Sequence, residues 1–413
     1  MRQFWAAMPD FIQWNNGLMR ILWAILFLNL TFCAGAKAQR HIEGPWLLTF
    51  HLGPADMPVR LHLYTDSAVV INGNERIRAA QYRCHADSLY ISLPVFDSFL
   101  HMKWSDDALS GEFVDRSRTG HYRIAVSGQR ELSITQPDRR ALNISGRWRM
   151  TFSPTTPDSS LGIGIFVSKG DSVLGTILTP TGDHRYLAGT MRADSLFLSA
   201  FDGSHLFHYR FMIKGDSIHG RFYSGRHWQE MLVGVRDRFA RLPPADSVTF
   251  LRPGTQFGFS FPDVDGNIVS LTDARFRDKV VVVQIMGSWC PNCMDETAIL
   301  TRLHRRYGAS GLEVVALAFE RTGTDSTAFR SIGKLKQRFD VRYPILLAGS
   351  NSKTDASARL PMLNQVAAFP TTVFIDRKGI VRRISTGFNG PASPDHQSSV
   401  NAMEGLIRRM LAE

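Results

Sequence analysis

Cysteine is scarce in this 413-residue chain, with four in all, at positions 33, 84, 290 and 293. So few thiols exclude a disulfide-stapled scaffold, and a chain this long can bury cores without staples. Blocks of Lys or Arg are also missing. The formal net charge is +11, yet the basic residues are scattered and no basic helix carries interleaved aromatics. That argues against a nucleic-acid partner and leaves at most a weak attraction to anionic membrane surfaces. A second Cys-x-x-C is lacking, and His304 and His396 stand alone, so no zinc site is expected. Residues 21–30 (ILWAILFLNL) fall short of the ~20 apolar residues of a membrane helix.

What the N-terminus does hold is the pattern of an export signal over residues 1–38, with Met19 as an alternative start. Met19-Arg20 opens a charged start, the apolar run follows, and Ala36-Lys37-Ala38 supplies a small-x-small cleavage pattern before Gln39. This places the mature protein in the periplasm or cell envelope. Lipoprotein processing at Cys33 competes with this reading, but Phe32 sits where a small residue is wanted. Removal of the signal leaves Cys84, Cys290 and Cys293.

Helical periodicity is also sparse between residues 40 and 241. Short alternating runs punctuated by Asp-Ser, Gly-Asp and Asn-Gly read as antiparallel strands joined by tight turns. The region repeats itself at a spacing of about 105 residues. Gly44-Pro45-Trp46 recurs as Gly146-Arg147-Trp148, and Ala86-Asp87-Ser88-Leu89-Tyr90 as Ala193-Asp194-Ser195-Leu196-Phe197. Phe96-Asp97 matches Phe201-Asp202, and Gly111-Glu112-Phe113 matches Gly220-Arg221-Phe222. Two tandem all-β modules follow, 40–138 and 139–242, each a small barrel or sandwich, with a seam near Gln136-Pro137-Asp138. Trp46 and Trp148 read as core anchors, and Cys84 as a small buried hydrophobe. On a strand, His205 and His208 face opposite sides and form no metal pair. A partner for the modules, whether substrate protein or envelope, is not specified.

After Leu242-Pro243-Pro244 the pattern changes to alternating strands and helices, an α/β domain over 250–413. Residues 257–271 read as a hairpin, 279–286 and 312–319 as buried strands, and 343–347 as a further strand. Helices are expected over 290–307, 326–339 and 400–411, and a closing hairpin over 371–386. Trp289-Cys290-Pro291-Asn292-Cys293 falls where a buried strand ends and a helix begins. There, free N–H groups and the helix dipole stabilise a thiolate at Cys290. Cys293, almost one turn on, can resolve a mixed disulfide, and Pro291 is tolerated in the first turn.

From about residue 253 onward the sequence resembles the TlpA/ResA-like branch of the thioredoxin superfamily. The resemblance rests on FSFPDVDGNIVSL, RDKVVVVQIMGSWCPNCMDE, AAFPTTVFIDRKGIVRR and TGFNGP. It implies a four- or five-stranded sheet flanked by helices, a cis peptide at Pro370 beside the dithiol, and Trp289 over the disulfide or in the core. Gln284 stands where thioredoxin has a buried acid. Glu296 matches an acid of ResA-like proteins, either relaying the proton of Cys293 or favouring the helix start. Ala298 replaces a proline that kinks this helix. Gly287 replaces the Thr of peroxiredoxins, which disfavours that rival. The implied activity is thiol–disulfide exchange by a redox-active Cys290–Cys293 disulfide without a bound cofactor. Disulfide-bearing client proteins and a membrane-linked thiol donor are the implied partners. Reduction is the family's direction, although Pro-Asn between the cysteines leaves an oxidising role open. A different class also stands: a binding or envelope-attachment protein served by an accessory redox domain.

Overall fold

The computed structural model describes residues 42–118, 122–131, 141–321 and 325–413. The export signal, Cys33 and the seam at 136–138 lie outside the described residues. Two antiparallel β modules precede an α/β domain of thioredoxin-like fold.

In the first module nine strands follow one another as a meander from Gly44–His51 to Tyr122–Arg130, and these first and last strands pair. Its edges are Glu75–Arg78 and Gln81–His85, which do not pair with each other, so this module is an open half-barrel. The second runs from Gly146–Phe152 to Trp228–Arg236 and does close. Ser160–Lys169 pairs with Ser172–Thr179, which completes an eight-stranded barrel, and the short strand Gly182–Asp183 is appended outside it. Of the alternatives left by the sequence, barrel rather than sandwich is found, closed in one copy only.

The repeat has a structural basis. Gly44 and Gly146 have φ of +114° and +123°, a conformation open to glycine. Two residues on, Trp46 and Trp148 are fully buried and donate their indole N–H to the Ile42 and Ile144 carbonyls, at 2.8 and 2.9 Å. Each ring is capped by a guanidinium, Arg130 at 4.6 Å and Arg236 at 4.4 Å, which Asp107 and Asp216 hold in turn. Both tryptophans are core anchors. Cys84 is a correction: it is half-buried, because it lies on the edge strand Gln81–His85, which pairs on one side only, with Ser88–Ser92.

The α/β domain has a five-stranded sheet in the order Ile345–Ser350, Leu312–Glu320, Val280–Met286, Thr371–Ile375, Val381–Thr386. Val280–Met286 is central and wholly buried, as its apolar run requires. Helices α1 (Pro291–Tyr307), α2 (Asp325–Phe339), α3 (Lys353–Arg359) and α4 (His396–Ala412) accompany it. The short α3, capped by Ser352, is absent from the sequence-based reading, and α4 starts four residues earlier than expected. Helix α1 runs uninterrupted through Ala298. No described helix is long and apolar enough to cross a membrane.

Candidate active site

Strand Val280–Met286 delivers the chain to Gly287, where it turns into α1. A Cβ at position 287 would lie 2.3 Å from the Trp289 Nε1 and 2.8 Å from the Phe319 carbonyl oxygen, so only glycine fits. The buried Glu320 carboxylate fixes the next residue by accepting from the Ser288 N–H (2.8 Å) and hydroxyl (2.6 Å). Trp289 donates to the Phe319 carbonyl at 2.8 Å and meets Phe369 edge-on at 5.6 Å, with Arg321 over its ring at 4.8 Å. Its indole is thus pinned between two core strands' ends rather than free.

Cys290 is the N-cap of α1 and forms a disulfide with Cys293, the two Cα atoms 5.2 Å apart. The Cys293 N–H donates to the Cys290 Sγ at 3.2 Å, which is the stabilisation a thiolate at a helix start receives. The same sulfur lies 3.3 Å from the Phe369 carbonyl oxygen, and the Phe369–Pro370 peptide is cis. The motif and Pro370, 80 residues apart in sequence, therefore form one site.

Glu296, one turn beyond Cys293, is 1% exposed. Its carboxylate accepts from the Gln284 side-chain amide at 2.9 Å and from the Thr372 hydroxyl at 2.7 Å. Gln284 also donates to the Cys293 carbonyl at 3.2 Å and accepts from Thr297 at 3.1 Å. Burial pushes the Glu296 pKa up to about 7, against the lowering by the Thr372 and Gln284 hydrogen bonds. One amide, that of Gln284, thus ties this buried carboxyl to the backbone of Cys293. Asp295, on another face, pairs with Arg185 of the second module.

The β modules press on this site. Gly182 packs so tightly against Asn292 that a Cβ there would meet the Asn292 Nδ2 at 1.7 Å. Arg185 bridges Asp295 at 2.5 Å and Glu75 of the first module at 2.6 Å, all three side chains nearly buried. Lys334 of α2 reaches Asp97 of the first module at 2.6 Å. Within the whole chain Cys290 is 5% exposed and Cys293 fully buried. The sequence gives no sign of Gly182, Arg185, Glu320 or Arg321. Thr372 lies in the F-P-T-T stretch, where the sequence marks no role for it.

Residues 252–403 match the redoxin family. The C-terminal region is a redoxin domain. It is similar to the thiol-disulfide oxidoreductase ResA of Geobacillus thermodenitrificans, 29% identical over 129 residues, 31% of this chain and 66% of the relative. The thioredoxin-like protein YneN of Bacillus subtilis is 28% identical over 31% of this chain and 68% of its own. The thiol:disulfide interchange protein DsbE of Pseudomonas aeruginosa is 30% identical over 31% and 63%. The chain thus spans about two thirds of the length of the curated relatives it matches. Among solved structures, a thioredoxin-family thiol:disulfide interchange protein of Chlorobium tepidum shares 18% identity, covering 39% of this chain and 99% of its own, with a TM-score of 0.30. The redoxin match leaves the β modules outside it.

Proposed function

We propose that the chain is an exported thiol–disulfide oxidoreductase that reduces disulfides of envelope proteins through Cys290 and Cys293. The observation that carries this reading is the disulfide at the start of α1, with the Cys290 sulfur against the Phe369 carbonyl and the cis-Pro370. The names of the relatives ResA and DsbE support it. In the reduced protein, the Cys290 thiolate attacks a client disulfide and a mixed disulfide forms as the client's other sulfur leaves. Cys293 loses its proton, attacks Cys290, and the client departs as a dithiol while Cys290–Cys293 re-forms. Glu296 takes the proton of the Cys293 thiol through water, because a carboxyl with a pKa near 7 is poised for it. Cys290 and Cys293 carry the electron pair, and a membrane-linked thiol donor returns it. The signal-like start at residues 1–38 supports a periplasmic or envelope location.

In the reduced full-length protein, Cys293→Ser should trap mixed disulfides with client proteins on non-reducing gels, and Cys290→Ser should trap none. Trapping by Cys290→Ser alone would reverse the roles. The reduction potential of the Cys290–Cys293 couple separates a reductant from an oxidant. The contacts of both β modules around α1 favour modules that serve the redox centre over an independent attachment role.

A further inference from the structure

A cavity of about 690 Å³ lies between the second barrel and the redoxin domain. Four arginines line it, Arg147, Arg238 and Arg241 from the barrel side and Arg383 from the sheet of the redoxin domain. The first turn of α4 also opens onto it through Asp395, Ser398 and Ser399, and no side chain caps that helix start. The acidic groups on its wall are Asp395 and Glu296, the latter already engaged by Gln284 and Thr372. Asp246 approaches Arg383 only to 3.8 Å. Two donors are left over. The Arg383 Nε and the Thr386 hydroxyl are buried without a hydrogen-bond partner, and Thr386, which lines the cavity, is 2% exposed.

Buried polar groups without partners are rare in folded proteins and mark a missing ligand or water. Guanidinium groups match oxyanions bidentately, and an uncapped helix start adds N–H groups and a positive dipole end. The volume lies in the range of small-molecule sites, roughly 300–1,000 Å³. We propose that this cleft binds a small organic polyanion carrying phosphoryl or carboxylate groups, held by Arg147 and Arg383 and the Thr386 hydroxyl. The cleft reaches Glu296 at one wall but is lined by neither Cys290 nor Cys293, and anion binding there does not depend on the activity proposed for the dithiol.

The test is calorimetric titration of the full-length protein with sodium pyrophosphate and, separately, with citrate, at ionic strength fixed by sodium chloride. Saturable 1:1 binding of at least one is expected, and the preferred anion assigns the ligand as phosphoryl or carboxylate. The double variant Arg147→Gln, Arg383→Gln should weaken binding by roughly ten-fold or more, as loss of charge-assisted hydrogen bonds does. Thr386→Val should weaken it several-fold, and Arg192→Gln, exposed and outside the cleft, should leave it unchanged. If circular dichroism shows the double variant unfolded, Thr386→Val and the exposed Arg241→Gln carry the comparison. The proposal is overturned if neither anion saturates, or if the folded cleft variants bind with wild-type affinity.

Discussion

Glu296 is the residue where burial and chemistry meet. Its carboxyl pKa is raised by desolvation from 4.5 to about 7. Below pH 4.5 the folded and unfolded chains both hold the proton, and between 4.5 and 7 only the folded chain does. Wild-type stability should therefore fall as pH rises through that window and level off above it. Glu296→Gln keeps the shape and removes this penalty, so urea unfolding should favour the variant by up to about 3 kcal/mol more at pH 8 than at pH 4.5. The same substitution should slow disulfide reduction by roughly ten-fold or more at neutral pH and abolish the rise of rate near pH 7. A wild-type rate profile for Glu296→Gln would remove the relay and leave a buried structural acid.

At the scale of the element, the turn from Val280–Met286 into α1 is built around one missing side chain. Gly287→Ala would force the Trp289 indole from its hydrogen bond with Phe319, since the added carbon would sit 2.3 Å from Nε1. A loss of about 1–3 kcal/mol is expected in denaturant titration, as in other overpacked sites. Oxidised and reduced forms should both suffer, which tells this effect from a change in disulfide stability. In the second barrel the Trp148–Arg236–Asp216 stack closes Trp228–Arg236 onto Gly146–Phe152. Arg236→Met keeps the aliphatic cover but loses the charge over the ring and the Asp216 bond. It should cost about 1–2 kcal/mol, read as a lowered melting temperature, and the equivalent Arg130→Met should cost a similar amount.

In the whole molecule, three domains meet at Arg185. Removing one partner of a buried ion pair leaves its counter-charge unpaired, typically at a cost of 3–5 kcal/mol. Arg185→Ala would strand Asp295 and Glu75 together, two acids with no cation between them. Burial raises the Asp295 pKa and the Arg185 guanidinium opposes it, so the variant should bind an extra proton on folding. The expected result is a looser contact between the β modules and α1. Alkylation of reduced Cys290 by iodoacetamide should then speed up several-fold, with Cys293 unchanged. Equal labelling of wild type and variant would mean that the modules do not limit access to the thiol.

The cis-Pro370 partner of the dithiol is implied by the family resemblance, but the α/β domain, the dithiol motif at the start of α1 and the duplicated β architecture are legible in the residues themselves. Each is encoded locally: alternation sets a strand, three-residue spacing sets a helical dithiol, and a glycine-x-tryptophan repeat marks an anchor. The sequence by itself also placed Glu296 near Cys293, since one helical turn is a short-range fact. Only the tertiary structure decided that Gln284, a non-titrating side chain, joins Glu296 to Cys293. It alone closed the second barrel and left the first open, because the edges Glu75–Arg78 and Gln81–His85 are chosen by long-range pairing. The placement of Gly182 and Arg185 against α1 was likewise invisible. Those contacts join residues about 110 positions apart, and nothing in local periodicity reports which distant charges burial will bring together.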